Sequence, residues 1–452
     1  MAYKKPTDEE LQELLRKAGE PAKRAPKWHE RYRGKIEIAP KCPVPFFDLS
    51  YTPGVAQVCK EIAKDPLMVF QYTNKGNTVL VISDGTRILG LGDIGPEAGL
   101  PVMEGKVLIF KYCGGVDAYP ICVDTKDPDE IIKLILQLQP SFGAVNMEDF
   151  AQPKCFYILD ELRRRAHIPV WHDDQQGTAA VNLAGLISGL IILGRKLSDV
   201  NFAMVGAGAA NTATLRLLLA DGVDPAKVVM TDINGILHPD RNDFPKNDPR
   251  YRFCQITNKD NRRGGIPEAM RGAHVVFALS TPGPGVIKKE WIKSMAKDRI
   301  VFACANPIPE IWPWELEEAG VEIFATGRSD FPNQINNSLG FPGILRGTLD
   351  VGASTITDEM AIAAAHELAQ YAQDKGIHKG YFIPKMEEWD LYPRVAAAVG
   401  LKAIEQGVAR IKLSKAELLK QATEIIERAR RQAEILMDKD TGIIAPSPFG
   451  LN

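Results

Sequence analysis

Asn201-Phe202-Ala203-Met204-Val205-Gly206-Ala207-Gly208-Ala209-Ala210-Asn211 sets an apolar strand against a glycine turn and opens a helix directly behind it. Glycines in that turn permit the tight bend and let backbone N–H groups approach an anion at the helix N-terminus. The third position of the expected glycine pattern is Asn211, so the motif alone is incomplete. Its surroundings strengthen it. The next apolar run, Val228-Val229-Met230-Thr231-Asp232, ends in an acid that can bond both ribose hydroxyls and would repel a 2′-phosphate. No basic residue follows directly; Ile233, Asn234 and Gly235 do. The reading is a dinucleotide site on Gly206, Ala207, Gly208, Ala209, Ala210 and Asp232, with NAD favoured and NADP still open.

Outward from this turn, strands and helices alternate. Upstream, 79–83 reads as a strand ending at Asp84-Gly85, 106–110 as another, and 128–138 as an amphipathic helix begun by Asp127-Pro128. Downstream come an apolar helix at 178–193, a strand at 201–205, a helix at 209–220 and a strand at 227–231. The continuous apolar runs 275–279 and 300–304 suit strands buried on both faces. Residues 239–265, charged and rich in Arg, Asn and Asp, read as surface structure. This pattern predicts an α/β protein of two domains: an α/β N-terminal domain (1–175), the substrate domain in the family resemblance drawn below, and a doubly wound, Rossmann-like NAD-binding domain (176–355). A helical C-terminal extension follows (356–452), with a long charged helix from Ser414 to about 437, stopped near Gly442. At the N-terminus, Thr7 and Glu10 form a capping box for a short helix over 8–17, followed by a Pro/Lys-rich link.

Bulk properties exclude several classes. A chain of 452 residues, 45% hydrophobic and 25% charged, is ordinary globular material. A net charge of −2 argues against a nucleic-acid binder, and the short Arg163-Arg164-Arg165 run reads as a solvated helix face. Seven cysteines (Cys42, Cys59, Cys113, Cys122, Cys155, Cys254, Cys304) form no CxxC pair, which disfavours both a disulfide framework and a thiolate zinc site. The start carries no apolar signal region, and the 179–194 stretch, interrupted by Asn182 and Ser188, reads as a buried helix rather than a membrane span. A soluble, cytoplasmic protein is expected.

Two acidic pairs stand out. Glu148-Asp149 follows Ala144-Val145-Asn146-Met147, and Asp173-Asp174 follows Val170-Trp171-His172. Either pair alone reads as a cap or a surface turn. Together, Glu148, Asp149 and Asp174 could offer three oxygens to Mg²⁺ or Mn²⁺. Arg87 could clamp a carboxylate with its planar fork or be a surface arginine. Lys106, at the edge of its predicted strand, could be solvated or partly buried with a pKa lowered enough to act as a base. Tyr51 reads as a core or turn tyrosine.

In combination, Ser50-Tyr51-Thr52-Pro53-Gly54-Val55-Ala56, the 83–93 segment, Gly105-Lys106, Glu148-Asp149-Phe150, the 172–178 segment, Ala305-Asn306-Pro307 and the 327–337 segment resemble the malic enzyme family in its short prokaryotic form. The resemblance runs in order from about 35 to 405. It implies oxidative decarboxylation of L-malate to pyruvate and CO₂ with reduction of NAD(P)⁺, and assembly as a homodimer or higher oligomer. It also implies roles: Tyr51 as general acid, Lys106 as general base and Asp173 as the carboxylate paired with it. Glu148, Asp149 and Asp174 match the metal ligands, and Arg87, Asn306 and Asn337 the residues that hold malate. Malolactic chemistry, a non-catalytic NAD-binding regulator and an interaction protein working through the 414–437 helix are the competing readings.

Overall fold

The computed structural model describes residues 6–32, 35, 41 and 47–437. Cys42, the stop near Gly442 and the 446–452 tail lie outside the described residues.

The first sheet is wholly parallel. Its strands are β1 (Thr78–Ser83), β2 (Asp117–Cys122), β3 (Ala144–Met147) and β4 (Val170–His172), in the order β2-β1-β3-β4. β1, β3 and β4 are buried throughout, as apolar runs covered by helices on both faces must be. The second sheet contains β5 (Phe202–Val205), β6 (Val228–Asp232), β7 (Gly235–Ile236), β8 (Val275–Ala278), β9 (Ile300–Ala303) and β10 (Ile323–Thr326). Its order, β10-β9-β8-β5-β6-β7, reverses direction on either side of β5. That is the doubly wound arrangement, whose ligand crevice opens where the strand order switches, between β5 and β8. β7 is a two-residue strand antiparallel to β6.

Helix 128–138 is realised as Pro128–Leu138, capped by the Asp127 carboxylate on the N–H groups of Asp129 and Glu130. Ala209–Ala220 forms as read. The Thr7–Glu10 capping box is present, with bonds of 2.7 and 3.2 Å. Its helix, however, runs Asp8–Tyr32 instead of stopping near 17. Leu11, Leu14 and Leu15 anchor its first turns on Trp312, Trp314 and Phe331. The Pro21 and Pro26 stretch adds helix that its residue types do not favour.

A larger correction concerns 106–110. These residues belong to helix Pro96–Gly114, not to a strand. A short apolar run fits a buried helix as well as a strand. Here Pro96 opens the helix, left-handed Gly115 (φ 62°) closes it, and Met103, Lys106, Val107 and Phe110 form its buried face. The 239–265 segment is likewise only partly surface: it contains helix Pro249–Ile256, and Phe244, Phe253 and Cys254 are buried.

The apolar helix Thr178–Leu193 is preceded by one π-turn, Asp173–Gly177. The combined 21 residues are long and apolar enough to cross a membrane, more than the sequence reading allowed, but most lie buried in the protein. One continuous core joins both sheets and the C-terminal helices, including Val79, Phe110, Ala180, Phe202, Phe302, Phe341, Leu368 and Leu418. Helix Lys415–Met437 packs on this chain through Leu418, Ala422, Ile426 and Ala429, the spacing of one helical face. Every described cysteine is a free thiol.

Candidate active site

β3 and β4 are parallel neighbours with Met147 opposite His172. Their register therefore delivers Glu148-Asp149 and Asp173-Asp174 side by side at the same end of the sheet. Both acidic pairs sit where apolar strands give out, and helix Pro96–Gly114 brings Lys106 to meet them. Lys106 Nζ stands 2.8 Å from Glu148 Oε1 and 2.5 Å from Asp173 Oδ2, and 4.2 Å from the centre of the Phe341 ring. Trp171 Nε1 donates to the second oxygen of Asp173 at 2.9 Å, and Asn146 Nδ2 donates to Glu148 Oε2 at 2.9 Å. The Asp149 N–H donates to Asp174 at 2.7 Å. Asp149 itself holds a left-handed backbone (φ 57°), a conformation costly for a non-glycine residue and concentrated at functional sites.

The cluster is buried: Glu148 and Asp149 are 5% exposed, Asp173 is fully enclosed and Lys106 is 8% exposed. Burial, together with the neighbouring carboxylates, pushes the Glu148 and Asp173 carboxyls above their usual range despite the Lys106 ammonium. Burial and the Asp174 charge push Asp149 up to about 8. Of the two readings open for Lys106, solvated or partly buried with a lowered pKa, neither is found: the side chain is buried and its pKa is held up. Burial does work against the ammonium, but Asp173, Glu148 and Asp174 outweigh it and hold the group above its usual value.

Among the described residues, no three His, Cys, Asp or Glu side chains form a ready-made metal cluster. Glu148 and Asp173 instead share Lys106, and Asp174 accepts from backbone. The chemistry of the donor set nonetheless suits a hard divalent cation. Four carboxylates face one ammonium, and Asp149 Oδ2 is buried without a hydrogen-bond partner.

Three further loops form the rim. The Arg87 N–H donates to the Asp149 carbonyl at 3.0 Å, leaving an exposed guanidinium with no ion pair among the described residues. Asn337 stands beside Gly177, where an added Cβ would meet Asp173 Oδ1 at 1.9 Å and Asn337 Cβ at 3.2 Å. The Asn306 carbonyl approaches Gly90 of the Arg87 loop, 3.2 Å from where a Cβ would lie, and its amide packs on Gly327. The structure thus sets Arg87 and Asn337 against the acidic cluster and Asn306 beside the Arg87 loop. Tyr51 is not gathered with them: it is 70% exposed, and no hydrogen bond or ion pair links it to Lys106.

At the dinucleotide turn, Gly206 has φ 96°, and a Cβ there would stand 2.8 Å from the Leu279 carbonyl. Ala207 is buried beneath the turn, and Gly208 opens onto free space before helix Ala209–Ala220 begins. Asn211 takes over the packing role of a third glycine. Its Nδ2 donates to the carbonyls of Val205 (2.9 Å), Gly206 (2.8 Å) and Phe277 (3.3 Å), pinning the helix to β5 and β8. Asp232 ends β6 as read, but Arg241 grips both its oxygens, at 2.9 and 2.6 Å. Sequence reasoning missed Arg241, Asn146, Trp171 and Phe341, none of which lies in a spacing motif.

A doubly wound nucleotide domain opening beside a buried lysine–carboxylate cluster defines a dinucleotide-dependent oxidoreductase. The comparisons narrow the class. The malic enzyme N-terminal domain matches residues 43–163, and the malic enzyme NAD-binding domain matches residues 175–405. The NAD-dependent malic enzyme of Geobacillus stearothermophilus is 48% identical over 83% of this chain and 78% of its own length. The bifunctional malic/malolactic enzyme of Bacillus subtilis is 44% identical over 88% of this chain and 96% of its own. The solved Entamoeba histolytica malic enzyme superposes with a TM-score of 0.92 at 46% identity, covering 98% of this chain and 93% of that one. The Pyrococcus horikoshii malic enzyme gives 0.86 at 49% identity, covering 89% and 94%. The chain belongs to the malic enzyme family, and it is a malate oxidoreductase using a nicotinamide dinucleotide.

Proposed function

We propose that the Lys106 cluster is where this malic enzyme oxidatively decarboxylates L-malate to pyruvate and CO₂ as NAD(P)⁺ is reduced. The observation that carries the assignment is one buried ammonium shared by carboxylates from two adjacent strand ends, beside the dinucleotide domain. Arg87 clamps a malate carboxylate, and Asn306 and Asn337 fix its orientation. Glu148, Asp149 and Asp174 would hold Mg²⁺ or Mn²⁺, which would supply Lewis-acid stabilisation of negative charge on the C2 oxygen. Lys106 must be free of its extra proton to act as a base, and Asp173, at 2.5 Å, is placed to take it. Lys106 then accepts the C2 hydroxyl proton as hydride leaves C2 for the nicotinamide. CO₂ departs, and Tyr51 protonates C3. With its ring 70% exposed, Tyr51 has to be brought onto the cluster by closure of its segment or by subunit assembly.

The same reading divides the chain into a substrate and metal domain to 175, a dinucleotide domain at 176–355 and C-terminal helices beyond. It also places a homodimer or higher oligomer in the cytoplasm, without nucleic-acid or membrane partners. NAD is the dinucleotide that Asp232 favours, with NADP accepted where Arg241 offsets that acid. The Bacillus subtilis relative's name supports a second reading, malolactic conversion with lactate released. Product analysis after malate turnover separates the two: pyruvate with stoichiometric reduced dinucleotide supports the first, and lactate without net reduction supports the second. A purely regulatory dinucleotide binder predicts neither product.

A further inference from the structure

Glu310 is a fully enclosed carboxylate outside the cluster described above. It carries no ion pair among the described residues, so its charge is offset by hydrogen bonds alone. Burying an uncompensated carboxylate is costly, and a fold retains one where its acceptors have particular work. The donors identify that work. Oε1 accepts from the Ser280 N–H at 2.8 Å and from Ser280 Oγ at 3.1 Å, while Oε2 accepts from the Ala305 N–H at 3.1 Å. The Glu310 carbonyl accepts from Gly285 and Ile287, both at 3.2 Å, and the neighbouring Ile308 carbonyl accepts from Gly283.

Ser280 and Ala305 begin the loops that leave β8 and β9. The first loop borders the dinucleotide crevice: a Cβ on Gly206 would come within 3.1 Å of the Ser280 side chain. The second carries Asn306 immediately after Ala305, beside Gly90 of the Arg87 loop. One carboxylate therefore spans the cofactor side and the substrate side of the cleft.

We infer that Glu310 is a positioning residue, fixing the dinucleotide-side loop at 280–287 and the substrate-side loop at 305–310 in one register for hydride transfer. The inference rests on the assignment of Asn306 to malate under the proposed function. Glutamine keeps the size but offers one acceptor oxygen, so its amino group must face one of the two N–H donors. Aspartate keeps both acceptors but is one methylene too short to span the loops.

The test compares the full-length wild type with Glu310→Gln and Glu310→Asp. Three readouts are taken: melting temperature, NADH binding by fluorescence without malate, and the malate and dinucleotide KM and kcat. Misplacing reacting groups by about 1 Å costs on the order of 100-fold in rate. The expected result is therefore a kcat loss of at least about 10-fold with raised dinucleotide KM and weaker NADH binding, at nearly unchanged melting temperature. Variants whose NADH binding and kinetics equal those of the wild type overturn the inference, as do losses that follow the unfolded fraction alone. Should both fail to fold, Ser280→Ala removes only the hydroxyl bond. It should weaken NADH binding about 3- to 5-fold, in line with one lost hydrogen bond, and unchanged binding overturns the inference. A wild type that binds NADH but does not oxidise malate removes the proposed function, and the binding comparison still decides the role of Glu310 at the dinucleotide loop.

Discussion

Arg241 closes on Asp232 with both arms of its guanidinium, and the two side chains are only 8% and 14% exposed. The pair changes the meaning of the acid at the end of β6. An unpaired Asp232 would repel a 2′-phosphate; Arg241, shared between Asp232 and Asp243, offsets that repulsion in part, and the same arginine can meet the phosphate. Arg241→Ala should lower kcat/KM for NADP⁺ at least about 10-fold more than for NAD⁺, a difference of ~1.4 kcal/mol. Equal losses with the two dinucleotides would remove Arg241 from selectivity.

Among the described residues Lys106 is the one ammonium in contact with the buried carboxylates Glu148 and Asp173, so Lys106→Met should cost ~3–5 kcal/mol, the usual penalty for breaking a buried pair. A divalent cation held by the same carboxylates restores the missing charge. In metal-chelated protein, Mn²⁺ should therefore raise the melting temperature of Lys106→Met more than that of the wild type. No Mn²⁺ shift in either protein would argue against a cation site on Glu148, Asp149 and Asp174.

Asn211 stabilises the turn through three carbonyls, at ~1 kcal/mol per bond. Asn211→Gly completes the usual glycine pattern, yet it should lose ~1–3 kcal/mol in urea unfolding and weaken NADH binding. A variant as stable as the wild type would show those bonds to be incidental.

Glu310 also sets a pH dependence. Burial pushes its carboxyl up to about 6 from the usual 4.5, against the pull of the Ser280 and Ala305 N–H groups. Its ionisation thus opposes folding: the cost is absent below pH 4.5, grows as pH rises and is complete above about 6. A shift of this size is worth ~2 kcal/mol. Wild-type stability should fall by that amount relative to Glu310→Gln between pH 4.5 and 7. A pH-independent difference would contradict it.

Local chemistry made much of the fold legible. The Asp127-Pro128 start fixed helix Pro128–Leu138 in the sequence reading, and the glycine turn fixed the ends of β5 and of helix Ala209–Ala220. Lys106 was misplaced because the four apolar residues 107–110 carry no reliable period; its helix is defined by Pro96 and Gly115, outside the run. The acidic pairs were legible as pairs, but their meeting depends on the Met147–His172 register, which only the sheet supplies. Arg241 and Glu310 were invisible for a related reason. Their partners lie across a turn or on another strand end, and a charged residue in a connecting segment looks solvated until the fold buries it. Tyr51 came from family resemblance alone, and its exposure leaves its role to assembly or closure.

The most direct measurement follows malate-dependent reduction of NAD⁺ with Mn²⁺, wild type beside Lys106→Ala, with pyruvate assayed in the same tube. The account predicts equal amounts of NADH and pyruvate from the wild type, and loss of both in the variant without loss of NADH binding. Undiminished turnover in Lys106→Ala, or a wild type that binds NADH but releases no pyruvate with either dinucleotide, would contradict it.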